Sequence, residues 1–150
     1  MTDTGIAALA AKMALGQLDA AELPEAAVSA LDAGLDSPAL RVLAGLSNAE
    51  LDEARELLET ALMELGVPVP TARDAIMVLA RIAASEIANG RITPYGGAKR
   101  IWEITLCAPR MVVPELDPFI YAASEWEDRP DDREHFTKEI IREAQRLLAS

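Results

Sequence analysis

The sequence predicts an all-α protein, a single compact bundle of seven or eight helices with short connections and no β-sheet. Three observations support this class. Alanine and leucine, which are both strong helix formers, dominate the composition. Proline, glycine, serine and threonine recur at the spacing at which helices begin and end. Between these signals, apolar residues repeat every three or four positions.

The predicted helices begin at residues that cap or open a helix. Serine and threonine side chains accept hydrogen bonds from free backbone N–H groups, and proline fits a first turn because its missing N–H is not needed there. In chain order the starts are Thr4, Pro24, Ser37–Pro38, Ser47, Thr71, Thr93–Pro94, Asp117–Pro118 and the residues after Pro130. Ser47 also has Glu50 three residues later, which predicts a capping box.

The predicted helices end mainly at glycine or proline. In chain order the ends are Leu15, Gly34, Gly45, Gly66, Gly90, Pro109 and Arg129–Pro130, and the last helix fills the remainder. The fifth helix, AIMVLARIAASEIA, is apolar around most of its circumference, which predicts a central position in the bundle. The segments VPV and RMVVP are bounded by prolines, so neither is predicted to be a strand.

The chain is expected to form a single helical domain, residues 1–150, with two unlike parts. Residues 1–66 form acidic, alanine- and leucine-rich helices with twelve acidic and three basic residues, a balance of −9. Residues 67–150 contain the central apolar helix and the C-terminal helices, with thirteen acidic and eleven basic residues, a balance of −2. Every aromatic residue lies after residue 94. The second part therefore holds the large side chains that commonly anchor interfaces.

Composition and charge exclude several classes of function. The net charge of −11 disfavours nucleic acid, because phosphate binding depends on clustered lysine and arginine. No uncharged apolar stretch reaches the length of a membrane span. Cys107 is the only cysteine, so an internal disulfide is impossible and a reducing, cytoplasmic location is expected. No cofactor is predicted.

The segment PYGGAKRIWE, residues 94–103, has paired glycines before a lysine, as a phosphate loop does. A phosphate loop also needs a preceding strand, glycines five positions apart and a hydroxyl residue after the lysine. Here a helix precedes the segment and Arg100 follows Lys99. We therefore expect Gly96 or Gly97 to allow close packing in a first helical turn.

Nucleophilic catalysis and metal binding receive little support. Cys107 lies in the apolar run ITLCAP and would need His135, the only histidine, as its base, yet the two fall on different predicted helices. Zinc requires two or three nitrogen or sulfur ligands. His135 and Glu139 lie one helical turn apart, but no second pair of this kind accompanies them. No catalytic residue and no metal ligand is therefore predicted.

The most unusual stretch is SEWEDRPDDREH, residues 124–135, which holds six carboxylates, two arginines, a tryptophan and the histidine. Glu125, Glu127 and Asp128 crowd the C-terminal end of the seventh helix, where the helix dipole disfavours negative charge. Asp131 and Asp132 are expected in the first turn of the eighth helix, where negative charge is favoured. Arg129 and Arg133 would neutralise only part of this charge, so we expect a partner-facing acidic edge.

Trp126 stands within this acidic edge and has two interpretations. It shares a helical face with Phe119 and Ala123, which indicates a core position. An aromatic residue among charges is also typical of an interface anchor. The candidate partner-binding residues are Tyr121, Glu125, Trp126, Asp128, Asp131 and Asp132.

The leading hypothesis is a non-catalytic interaction module that presents an acidic surface to a basic protein partner. One form of it is an immunity or antitoxin protein that neutralises a cationic nuclease. In size, helicity and acidity the chain is similar to the helical immunity proteins of bacterial nuclease toxins, without a shared motif. Two alternatives remain open. One is a small metal-assisted or acid–base hydrolase that uses the carboxylates around residues 125–134, and the other is a homodimeric helical adaptor or ligand sensor.

Overall fold

A computed structural model describes residues 4–150 and confirms the all-α class. These residues contain eight α-helices and no strand. In chain order the helices are Thr4–Ala14 (α1), Leu23–Asp32 (α2), Pro38–Ala44 (α3), Ala54–Leu65 (α4), Ala72–Ala88 (α5), Pro94–Leu106 (α6), Asp117–Asp128 (α7) and Arg133–Ala149 (α8). Four 3₁₀ turns precede α2, α4, α7 and α8, at Ala20–Glu22, Asn48–Glu53, Pro114–Leu116 and Pro130–Asp132 respectively. None of the described helices is long and apolar enough to cross a membrane.

Side-chain caps fix several helix starts where the sequence predicts them. The Ser37 hydroxyl accepts a hydrogen bond from the backbone N–H of Leu40 at 3.0 Å, and the Thr93 hydroxyl accepts one from Gly96 at 3.1 Å. The αL conformation of Gly66, with φ 71°, ends α4. These contacts satisfy backbone groups that a helix end would otherwise leave unpaired.

The capping box at Ser47 opens a different element from the one predicted. The Glu50 carboxylate accepts hydrogen bonds from the Ser47 N–H at 3.1 Å and from its hydroxyl at 2.8 Å. The residues that follow, Asn48–Glu53, form a 3₁₀ turn, and α4 begins only at Ala54. A tighter first turn of this kind is common at helix N-termini.

The chain divides into two compact units, Met1–Thr71 and Ala72–Ser150. The boundary lies five residues after the change in composition at residue 66, and a single domain of residues 1–150 stays a prediction. In the first unit α3 packs against α2 and α4. Its core consists of buried aliphatic side chains, with the following completely or almost completely inaccessible: Ile6, Leu23, Leu40, Leu43, Leu58 and Leu62.

The second unit consists of α5 to α8 and contains all the aromatic residues. Helix α5 contains several buried alanines, and both α6 and α8 pack against this helix. Within the unit, however, α6 and α8 contact each other and both α5 and α7, so they hold the more central positions. Arg81 of α5 donates hydrogen bonds to the Leu147 carbonyl at 3.0 Å and the Ser150 hydroxyl at 3.2 Å, which ties α5 to the end of α8.

Candidate partner-binding surface

Helix α7 presents two different faces, and these position the candidate residues. Phe119 and Ala123 are buried at 1% and 0% exposure, and they hold the helix against the rest of the second unit. Tyr121 lies on the other side and is 61% exposed. The 3₁₀ turn Pro130–Asp132 then reverses the chain direction, so that α8 packs along α7. The two helices therefore carry the acidic stretch at the junction where they meet.

A cleft of about 390 Å³ lies between α7 and α8. Its lining residues are Pro118, Tyr121, Ala122, Arg129, Asp132, His135, Phe136, Glu139 and Glu143. The rings of Tyr121 and Phe136 meet at 76° with their centroids 6.3 Å apart, and His135 meets Phe136 at the same angle with centroids 5.0 Å apart. The cleft thus combines an aromatic surface with a charged rim.

Most of the charges around this cleft are paired inside the protein. Arg129 lies 2.8 Å from Glu125. The two glutamates of α8 that line the cleft, Glu139 and Glu143, lie 2.6 Å from Arg142 and Arg146 respectively. Asp132 is exposed, and it has no ion pair with any residue of 4–150. It is therefore the carboxylate of the lining that remains available to a cation from outside.

Trp126 projects from α7 towards α6 and the start of α8, and it is half-buried. Its ring stacks on Tyr95 of α6 at a centroid distance of 4.0 Å and an angle of 15°. The Arg133 guanidinium carbon lies 3.9 Å from the centroid of the same indole, and its Nε donates to the Trp126 carbonyl at 3.1 Å. The indole is thus covered by a ring and a cation of its own chain. This position is intermediate between the buried core residue and the exposed anchor that the sequence allowed.

Glu127 extends the same cluster and is held in its charged form. Its carboxylate accepts a hydrogen bond from the Tyr95 hydroxyl at 2.7 Å and lies 2.9 Å from the Lys99 Nζ. These two contacts, the tyrosine first, lower the pKa of the Glu127 carboxyl. The hydrogen bond to Glu127 likewise raises the pKa of Tyr95 and of Lys99. A carboxyl stabilised in this way is the opposite of the raised-pKa general acid that a hydrolase needs.

Replacing Glu127 by glutamine is expected to make the protein's stability less sensitive to acid. Because folding lowers this pKa, the charged carboxylate adds stability above its usual value of 4.5, and that stability is lost as the pH falls through the lowered value. In thermal denaturation, the melting temperature of the wild type should exceed that of Glu127→Gln by the largest amount at neutral pH. This difference should shrink as the pH falls through the lowered pKa of Glu127 and vanish below it.

Glu134→Gln provides the matched control for this experiment. Glu134 is 86% exposed and lies 3.4 Å from Lys138, so its ion pair is well solvated. Its removal should change the melting temperature little at any pH. A difference in melting temperature between the wild type and Glu127→Gln that stays constant from neutral to acidic pH would contradict the contacts described for Glu127.

The six candidate residues do not form one site. Tyr121 and Asp132 line the cleft together, and Glu125 pairs with Arg129 at its edge. Trp126 belongs to the cluster with Tyr95 and Arg133. Asp128 and Asp131 are exposed, with no ion pair to any described residue. Asp131 and Asp132 lie in the 3₁₀ turn Pro130–Asp132 and not in the first turn of α8, because Pro130 opens this tighter turn.

The expected repulsion at the end of α7 is relieved in part by the chain itself. Arg129 neutralises Glu125 and Lys99 neutralises Glu127, so the uncompensated charge is confined to three aspartates, Asp128, Asp131 and Asp132. The sequence indicated the first of these pairs through its spacing of four residues on one helix. It gave no signal for the pair between Lys99 and Glu127, since the two residues lie on different helices.

Reasoning from the sequence did not assign Phe136, Glu139 and Glu143 to a partner-binding surface, although it noted that Glu139 lies one helical turn from His135. Glu139 and Glu143 follow His135 by four and eight positions along α8, a spacing that places the three on one helical face and could have identified this face. Cys107 contacts the Glu103 carbonyl through its Sγ at 3.5 Å. Within residues 4–150, no group of three or more histidine, cysteine, aspartate or glutamate side chains is arranged to hold a metal ion.

No family model, curated protein or solved structure matches this chain. The fold is therefore described by its own contacts, and any functional statement rests on the residues at the α7–α8 junction.

Proposed function

We propose that this protein is a non-catalytic interaction module that binds a basic protein partner through the α7–α8 junction. The observation that carries the proposal is that the exposed Tyr121 and Asp132 line one cleft, with two further exposed aspartates, Asp128 and Asp131, close to Asp132 in the chain. Within residues 4–150 none of the three aspartates forms an ion pair. Carboxylates of this kind accelerate and orient the approach of a cationic partner, while an aromatic side chain supplies the apolar contact.

The first unit supports the same proposal through its long-range field. Of its acidic residues, Asp52, Glu53 and Glu56 are exposed, and no described residue forms an ion pair with them. Together with the net charge of −11, they favour encounters with positively charged proteins over a wide area. The junction would then supply the specific contact. An inhibitor of a cationic nuclease in a bacterial cytoplasm is one form that such a module takes.

The test compares two variants of equal charge. In the junction variant, Asp128, Asp131 and Asp132 are all replaced by asparagine. In the first-unit variant, Asp52, Glu53 and Glu56 are replaced by the corresponding amides. Each variant loses three negative charges, so the global field changes equally while the local surface differs.

Wild type and both variants are immobilised, exposed to an extract of the source cells and eluted with a salt gradient, with quantitative mass spectrometry of the eluate. We expect the wild type to retain a protein with an isoelectric point above about 9 and to release it as the salt concentration rises. The junction variant should retain about tenfold less of this protein than the wild type does. The first-unit variant should retain nearly as much as the wild type.

Three results would contradict the proposed function. They are retention of partners that are not basic, retention that is independent of salt, and equal losses in the two variants. The last result would indicate attraction by the overall charge without a binding surface at the junction.

A further inference from the structure

We propose that the α7–α8 cleft is a receptor for one arginine side chain of the partner, with the guanidinium group against Tyr121 and hydrogen-bonded to Asp132. This inference rests on the proposed function, because it names the group through which a basic partner is held. The chemistry of the guest follows from what the half-open cleft offers, which is an aromatic ring and a carboxylate without an ion pair to any described residue.

Two other aromatic side chains of the second unit, outside the cleft, each have a cation over the ring. Trp126 carries the guanidinium of Arg133 at 3.9 Å, and Trp102 carries the ammonium group of Lys99 at 4.3 Å. In residues 4–150, Tyr121 has no such cation over its ring, although it is 61% exposed. A guanidinium group can stack on an aromatic ring and donate hydrogen bonds at the same time. Tyr121 therefore offers to a partner the contact that the two tryptophans make internally.

The charges of the cleft leave one place for a cation. Glu139 and Glu143 are each held by an arginine of α8 at 2.6 Å. Arg129, the one described arginine in the lining, opposes a cationic guest, but Glu125 at 2.8 Å offsets its charge. Among residues 4–150 Asp132 has no such partner, and it is the carboxylate that can receive two N–H groups of a guanidinium side by side.

The cleft is large enough to admit an arginine side chain. At about 390 Å³ it lies near the lower end of the range for small-molecule sites, which is about 300–1,000 Å³. A flat guanidinium fits between a ring and a carboxylate better than a spherical ammonium group does, because its N–H groups lie in one plane. The cleft is therefore expected to prefer arginine to lysine.

The experiment is a titration of the full-length, isotope-labelled protein followed by two-dimensional NMR at constant ionic strength. The probe is the N-acetyl methylamide of arginine, and the same derivatives of citrulline and lysine are the comparisons. Citrulline has nearly the shape of arginine without its charge. We expect the arginine probe to shift the signals of Tyr121, Asp132 and Phe136, with a dissociation constant in the millimolar range, on the order of 1–10 mM. Citrulline should bind about tenfold more weakly.

Three variants, one of them a control, assign the binding to the cleft. Asp132→Asn should weaken the arginine probe about tenfold. Glu134→Gln removes the same charge from an exposed position outside the lining and should change the affinity less than about twofold. Tyr121→Leu should remove the preference for arginine over lysine, because the ring that stacks on the guanidinium is gone. Circular dichroism of each variant verifies that the helices are intact.

The cleft proposal is overturned by any of three results. These are no shift at about 50 mM arginine probe, shifts that map mainly to other acidic surfaces, and equal effects of Asp132→Asn and Glu134→Gln. The cell-extract experiment tests the proposed function independently of the cleft. A basic partner lost by the junction variant while the arginine probe stays silent would retain the proposed function and exclude the cleft as its arginine receptor. Binding of the arginine probe to the cleft without any basic partner in the extract would contradict the proposed function and would still show that the cleft accepts a guanidinium group.

Discussion

Replacement of Phe119 by alanine is expected to lower the free energy of unfolding of the second unit by about 3–5 kcal/mol. Phe119 is 1% exposed and is among the largest fully buried side chains of the described chain. Removing its ring takes away the apolar burial of the ring and leaves a cavity beneath α7 that the neighbouring helices can fill only in part. Such a loss is a large share of the stability of a small protein.

Urea denaturation followed by tryptophan fluorescence measures this effect, since both tryptophans, Trp102 and Trp126, lie in the second unit. Phe119→Leu keeps most of the volume and should cost less than about 1.5 kcal/mol, so the effect remains measurable if the alanine variant is largely unfolded. Tyr121→Ala is the matched control on the same helix. It removes an exposed ring with one edge contact to Phe136 and should cost only about 1 kcal/mol. Equal losses for Phe119→Ala and Tyr121→Ala would show that the two faces of α7 are assigned incorrectly.

The helix starts and ends of this fold could largely be predicted from the sequence. The local rules of helix formation were sufficient for the fold, because each start and stop depends on residues within one turn. Ser37 and Thr93 cap the helices that they precede, and Gly66 ends α4 in the left-handed conformation. The exception at Ser47 has the same origin. A capping box specifies a first turn but does not determine whether that turn is α or 3₁₀.

The candidate site depended on contacts between helices, which helical periodicity does not specify. Periodicity placed Trp126 on one face with Phe119 and Ala123, yet the burial of the indole is decided by Tyr95, which lies on another helix. The same tyrosine holds Glu127 across 32 positions of the chain. The acidic stretch was recognised as a unit, and its pair between Glu125 and Arg129 follows from their spacing of four residues, whereas the pairing of Glu127 required the position of Lys99 on α6. The sequence therefore predicts the composition of such a surface and its local ion pairs, but not the ion pairs between helices.

Gly97 is a position where a local signal did predict a contact between helices. A Cβ atom built on Gly97 would lie 2.4 Å from Cγ1 of Ile87 and 2.9 Å from Cδ1 of Ile92. Both distances are far below van der Waals contact, and Ile87 is itself only 4% exposed, so α6 approaches the end of α5 through a position that has no side chain. Gly96 has another role, since its N–H donates to the Thr93 cap. The expectation that one of the paired glycines permits close packing is thus confirmed for Gly97.

Gly97→Val is accordingly expected to destabilise the second unit by about 3 kcal/mol, at the upper end of the range for overpacked positions. Gly97→Ala should have a smaller effect, about 1–2 kcal/mol, because overlap with Ile87 costs about 1–3 kcal/mol while the better helix propensity of alanine returns up to about 1 kcal/mol. Urea denaturation of both variants, again followed by tryptophan fluorescence, gives the two values. A stabilising effect of Gly97→Ala would mean that Ile87 moves aside at little cost.

A double-mutant cycle separates steric overlap from a change in helix propensity. Ile87→Ala alone leaves a cavity and should cost about 2–5 kcal/mol. In the Gly97→Val background the same truncation removes the atoms that the valine overlaps, so its cost should be lower by about 1–3 kcal/mol. Helix propensity depends on residue 97 and its own helix. A change in propensity alone would therefore leave the cost of Ile87→Ala equal in the wild-type and Gly97→Val backgrounds. Only direct contact between the two positions produces a coupling of this sign, and strict additivity would therefore exclude the close approach of α6 to α5 at this point.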